Sequence, residues 1–210
     1  MQFESVTAAP AQDRRVRRSR SALMGAAVAL VTERGTAAVA ISDIAEAADV
    51  SRQVVYQQFG DRDTLLLEAA LNLARRELLP RVGHAPDAST GRARALAMAR
   101  HFADHRAFYR AILTSSCAFA LNKALTGLLI PLNRQVVHQL SGEPLDPHTV
   151  EDLATFLTGG WAAFVNTWVV EGEDPLDPEE FTDRLMRMVS VLTAERRRPT
   201  PIAHDKEQGR

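Results

Sequence analysis

Ser51, Arg52, Gln53 and Val54 stand together behind the short link Asp49-Val50. An arginine fork matches O6 and N7 of guanine, and a glutamine amide matches N6 and N7 of adenine. A serine opening a helix can cap it, and exposed amides of a first helical turn favour a phosphate anion. The chemistry within reach of these residues is therefore recognition of duplex nucleic acid. Two other groups of reactive residues are thinner. His101 and His105 are four apart, a metal-ligand spacing on a helix. No glutamate follows the first histidine and no third ligand is evident in the sequence, so no metal is expected. Cys117 is the only cysteine, which excludes an intramolecular disulfide. A redox sensor is one reading of it, and inert packing is the commoner fate of a lone cysteine. There is no glycine-rich phosphate loop and no nucleophile elbow, so the chain is not expected to be an enzyme or to carry a cofactor.

The elements that must hold Ser51–Val54 are helices. Apolar residues recur at helical spacing, and β-branched residues never alternate with polar ones as in a strand. A first helix is predicted over 13–34, with Leu23, Ala26, Ala27, Leu30 and Val31 as its apolar stripe and Gly35 as a left-handed cap. Short helices follow at 42–48 and 51–59. A long helix capped by Asp61 ends near Pro80. Further helices are expected at 89–104, 106–115, 117–140, 147–171 and 178–197, with loop in 82–89. Asp146-Pro147 and Asp177-Pro178 each place a capping side chain before a proline at the first helical position, and Glu180 is placed to complete a capping box. Pro131 is expected to kink or split its helix. The fold class is all-α, with nine helices. Ala45 and Ala48 let two short helices approach closely, and the three-residue link between them suits a helix-turn-helix. Any pair of short packed helices has the same outline, so at this point both readings stand.

Length and composition limit the rest. The chain has 210 residues, 46% of them hydrophobic, which suffices for a core. Net charge is −1, yet residues 12–35 carry six arginines against Asp13 and Glu33, a local +4, while the stretch from Glu171 to Glu180 is acidic. No apolar run approaching the ~18 residues of a membrane span is read, and the N-terminal charges are not followed by the apolar core of a secretory signal. A soluble cytoplasmic protein is the expectation, with no membrane partner.

Residues 41–66, ISDIAEAADVSRQVVYQQFGDRDTLL, resemble the DNA-binding region of the TetR family of bacterial regulators. The resemblance is carried by Ile41-Ser42-Asp43-Ile44-Ala45-Glu46-Ala47-Ala48, Val50-Ser51, Val55-Tyr56, Phe59, Arg62-Asp63 and Leu65-Leu66. Upstream it rests on Ala22, Ala26-Ala27, Leu30 and Gly35-Thr36. It implies that 51–59 is a recognition helix whose first residues, Ser51, Arg52, Gln53 and Val54, meet phosphates and bases. It also implies phosphate contacts from Ser42, Tyr56 and Arg62, with Gln57 close to the DNA. Asp49 stands where the family usually has glycine, and aspartate tolerates the left-handed conformation better than most residues. Residues 36–62 nevertheless sum to −2, so Arg17 and Arg18 in the basic cluster are expected to compensate, along the backbone or as a minor-groove arm.

The remaining helices are expected to dimerise and sense. Phe181, Leu185, Met188 and Leu192 form one stripe, and Gly159, Ala163 and Asn166 another of mostly small residues. Either stripe also suits the monomer's own core; the resemblance favours an interface with a second copy, at least for the last helix. Met98, Phe102, His105, Tyr109, Cys117, Phe119, Trp161, Phe164 and Trp168 are candidates to line a small-molecule pocket, with His101 and Asn166 adding polarity. The same aromatics suit ordinary core packing. The resulting expectation is an arm over 1–12, a helix-turn-helix domain over 13–60, a sensing and dimerisation domain over 61–198, and a tail over 199–210. The function it implies is a homodimeric repressor, released from double-stranded operator DNA by a small molecule. An activator or ligand-independent regulator of the same build is the alternative, and an all-α enzyme or adaptor a more distant one.

Overall fold

The computed structural model describes residues 8–83, 90–141 and 143–194. Residues 1–7 of the arm expected over 1–12, the tail over 199–210, most of the 82–89 loop and the side chain of Leu192 lie outside the described residues. Among the described residues there are nine helical rods and no strand. These are α1 (Ala8–Arg34), α2 (Ile41–Ala47), α3 (Arg52–Phe59), then α4, which joins Arg62–Leu73, a π turn at Ala74–Leu78 and a last turn at Leu79–Gly83. They continue with α5 (Thr90–Asp104), α6 (Arg106–Leu113), α7 (Ala118–Ser141), α8 (Pro147–Glu171) and α9 (Pro178–Ala194).

Local chemistry sets most boundaries. Gly35 closes α1 at φ 62°, the left-handed cap its position demands. Asp61 accepts from the Thr64 amide at 2.7 Å, Asp146 from those of His148 and Thr149 at 3.1 and 3.0 Å, and Asp177 from those of Glu179 and Glu180. Helix α1 begins at Ala8, five residues before the expected start.

Two prolines are accommodated within helices. Pro131 stands inside an unsplit α7. The bond it cannot make belongs to the carbonyl of Gly127, an exposed residue that water can satisfy. Helix α4 does not end at Pro80 but passes it. The preceding turn widens to π, with the Leu79 amide reaching back to the Ala74 carbonyl. A wider turn relieves the clash between a proline ring and the carbonyl four residues before it.

One apolar core runs from Leu23 and Val31 in α1, through Leu65, Leu66 and Leu78 in α4, to Phe108, Ile112, Leu121 and Phe181. Helix α1 packs on α4, α2 and α6; α7 and α8 form a long antiparallel pair; α9 lies against α5. The small head, α1–α3, is thus continuous with the body through α4. Helix α8 contains an eighteen-residue stretch of mean hydropathy 1.3, long and apolar enough by composition to cross a membrane. That corrects the sequence reading, which missed it because Thr155, Thr158 and Asn166 interrupt the apolar run. The inner face of α8, including Ala154, Thr158, Val165 and Val169, is buried in the bundle, while Leu153, Phe156, Gly159, Gly160 and Ala163 face outward.

Candidate nucleic-acid interface

Helix α3 is built to show one face. Val55 is buried completely and Phe59 nearly so, fixing the inner side. Ser51, Arg52, Gln53, Tyr56 and Gln57 are exposed on the outer side, Tyr56 to 55% despite its aromatic ring. Val54 departs from expectation: it is half-buried and packs on the core, because it lies on the same side of the helix as Val55 and Gln58. Ser51 occupies the cap position, but its side chain makes no capping bond.

The turn before α3 holds Asp49 at φ 51°, the left-handed region where glycine is usual. Amides of Ala48, Asp49 and Val50 close the turn onto carbonyls of Ile44, Glu46 and Ala45. Gln58 is not presented outward. Its amide nitrogen donates to Ser19 Oγ at 2.7 Å. Arg20 binds the Gln58 carbonyl at 2.9 Å, forms an ion pair with Glu68 and lies 4.3 Å over the Phe59 ring. Arg20 therefore clamps α1 to α3 and α4, a role the sequence did not single out among its neighbouring arginines.

Several charges of the head are already paired. Arg34 pairs with Asp43 at 2.5 Å, and this hydrogen bond, with a smaller one from Ser42, holds the Asp43 carboxyl below its usual range. Asp61 is likewise held low, chiefly by the Thr64 amide it caps. Arg52 stays exposed on the open edge, and Arg14, Arg15, Arg17 and Arg18 are exposed along α1, Arg17 3.5 Å from Asp13. Arg62 is half-buried and bound to Asp63 at 3.1 Å. It lines a cleft of about 240 Å³ between head and body, walled by Gly35–Ala38 and Thr114–Cys117. Cys117 is 4% exposed there, and burial pushes its thiol pKa up, the opposite of an activated sulfur.

The body redistributes the other predicted residues. Met98, Phe102, Tyr109 and Trp168 are buried together with Cys117, and Trp161 and Phe164 lie half-buried against the same core. Phe119 is 80% exposed and faces away from that interior, a correction to its place among the pocket residues. Residue 119 falls at the first turn of α7, on the side opposite Leu121 and Leu125.

Phe181 and Leu185 are also corrected. Both are buried in the protein's own core, Phe181 stacked on Trp168 at 4.2 Å and on Phe164 at 4.8 Å. Asn166 turns to α7, donating to Asn122 at 2.7 Å. Gly159, Ala163 and Met188 remain exposed, and an open groove of about 550 Å³ runs along Phe164, Arg184, Arg187, Met188 and Val191.

Nine helices among the described residues, with a helix-turn-helix head on a helical body, are the build of a one-component regulator. Residues 23–69 match the family described as bacterial regulatory proteins, tetR family, and residues 93–191 match a transcriptional regulator C-terminal region. The regulator AlkX of Mycobacterium tuberculosis (strain ATCC 25618 / H37Rv) is 31% identical over 154 residues, 71% of this chain and 64% of its own length. The chain thus spans just under two thirds of that relative. A TetR-family regulator from Rhodococcus sp. superposes with a TM-score of 0.63 at 18% identity, over 84% of this chain and 99% of the other. The fatty acid degradation regulator FadR of Bacillus halodurans does so at 0.60 and 18%, over 80% and 96%. The repressor AlkX of Dietzia sp. strain DQ12-45-1b, implicated in biodegradation of n-alkanes, does so at 0.55 and 21%, over 84% and 95%. The protein belongs to the TetR family of bacterial transcriptional regulators.

Proposed function

We propose that the protein is a dimeric repressor that binds operator DNA through α3 and is released by a small molecule held in its helical body. The observation that carries this is the outward edge of α3: Ser51, Arg52, Gln53, Tyr56 and Gln57 exposed on a helix pinned from behind by Val55, Phe59 and Arg20. In a helix-turn-helix, such an edge enters the major groove. Arg52 and Gln53 read bases; Ser42, Ser51, Tyr56, Gln57 and Arg62 hold phosphates or lie against the backbone; Arg17 and Arg18 add charge from α1. Two copies joined along the outer faces of α8 and α9 set the two α3 helices about 34–36 Å apart, one turn of DNA. Gly159 and Ala163 supply the close approach, with Phe156, Met188 and Val191 as apolar contacts.

The effector site is placed among Met98, Phe102, Tyr109, Trp161, Phe164 and Trp168, next to α4, which leads into the head. The printed descriptions of FadR and the Dietzia AlkX name fatty acid degradation and n-alkanes, so an aliphatic chain is the effector class to try first. Effector binding lowers operator affinity only by favouring the conformation in which the α3 spacing no longer fits.

The deciding experiment is fluorescence anisotropy of the full-length protein against fragments of its own upstream DNA at low salt. One fragment bound far more tightly than the rest, and released by an aliphatic ligand, is the expected result. Normal dimers that bind no fragment would overturn the repressor reading and favour an adaptor.

A further inference from the structure

Three ligand-type side chains, one of them far from the others in sequence, meet where α4 packs on α5. Glu77 lies on the π turn of α4, and His101 and His105 on and just beyond the last turn of α5. One ligand atom from each lies within 4.8 Å of the others. We propose that Glu77, His101 and His105 form a site for a first-row divalent transition cation of the zinc type, bridging α4 to α5.

The donor set fits that chemistry. Two imidazoles and one carboxylate are ligands that zinc accepts at about 2.0–2.2 Å, leaving a fourth position for water. His105 and Glu77 now hydrogen-bond at 2.7 Å. Ligands of a tetrahedral zinc sit about 3.3 Å apart, so this pair opens by about half an ångström to admit the ion. His101 is fully buried; its Nε2 lies 2.9 Å from the Tyr109 hydroxyl, and its Nδ1 has no hydrogen-bond partner. A buried imidazole nitrogen without a partner is an unusual cost. A hydrogen bond on the other ring nitrogen, here with the Tyr109 hydroxyl, is what orients a metal-binding histidine. Glu77 and His105 are about a third and a quarter exposed, which gives the ion an entry path. Arg76 and Arg81 oppose a cation, but both are exposed and screened by water.

The π turn gives the site its geometry. Such turns collect at functional positions in helices, and Glu77 lies within this one. A bound ion cross-links α4 to α5 and so biases the angle of the head.

The test uses tag-free full-length protein stripped with chelator and titrated with Zn(II), and with Co(II) as a spectroscopic probe; no DNA is needed, so the outcome is independent of the repressor reading. One ion per chain is expected, with visible Co(II) bands and a zinc-dependent rise in Tm. His105→Ala and Glu77→Gln, both at partly exposed positions, should keep native helical content and weaken zinc binding by about 100-fold or more. Absence of zinc uptake by the folded protein at micromolar concentration overturns the proposal. So does uptake that both variants leave unchanged.

Discussion

Arg52 and Gln53 are exposed side by side on α3, yet they should fail differently from Arg62. Gln53→Ala is expected to change sequence preference, costing about 1–3 kcal/mol on the preferred operator and little elsewhere. Arg62→Ala should weaken all sequences alike and reduce the slope of log K against log salt by about 1. Anisotropy titrations over a panel of base-substituted duplexes at several salt concentrations read both. A uniform loss for Gln53→Ala would remove it from base reading. Deeper in the chain, His101 gives the metal-free protein a pH signature. Burial, and secondarily His105, depress its folded pKa from the ordinary 6.5 to about 4. Below pH 6.5 the unfolded chain takes up a proton that the native state refuses. Its stabilising contribution is therefore complete above about 6.5 and is lost as pH falls toward 4, by about 3 kcal/mol at most. Glu77, held low mainly by its hydrogen bond from His105, acts in the same direction at lower pH. Thermal melts in chelator from pH 7 to pH 4 should show a falling Tm, with a shallower fall in His101→Gln.

At the scale of elements, the end of α8 is held by a device no periodicity reveals. Arg106, at the start of α6, donates to the carbonyls of Val169, Gly172 and Glu173 and pairs with Asp174 at 2.8 Å. Gly172 has an ordinary φ of −62°, but a Cβ there would lie 2.4 Å from the Trp168 carbonyl oxygen and 2.6 Å from Leu176. Gly172→Ala is therefore expected to destabilise the fold by about 1–3 kcal/mol, the usual range for overpacking, as measured by urea denaturation. An unchanged midpoint would show that the helix end relaxes freely. The cost comes from crowding, since the backbone conformation suits any residue.

For the molecule as a whole, the two stripes once grouped as an interface separate into core and surface. Phe181→Ala should cost about 3–5 kcal/mol of monomer stability, because the ring is closed between Trp168 and Phe164. Met188→Glu and Ala163→Glu change exposed positions and should leave helical content intact while producing monomers in sedimentation velocity. Dimers that survive both substitutions would put the interface elsewhere. If the dimer is lost, operator affinity should fall with it, since each half-site then binds alone.

Much of this was legible in the residues themselves. Caps at Gly35, Asp61, Asp146 and Asp177, the tight turn at Asp49 and the exposed edge of α3 are local: each depends on a few neighbouring residues and on helical period. What a stripe packs against is not local. Phe181 and Met188 share a stripe, and only the placement of α9 on α5 and α8 decides which is core and which is surface. The meeting of Glu77 with His101 and His105 is of the same kind. Ligands 24 to 28 positions apart leave no spacing signal when a π turn and a helix crossing set their approach. The sequence alone thus determined the helices and the exposed edge of α3, because backbone hydrogen bonding and amphipathic period act over one or two turns. Tertiary structure alone decided the interior of the body and the histidine cluster, because side chains distant in the chain become neighbours only once the helices have packed.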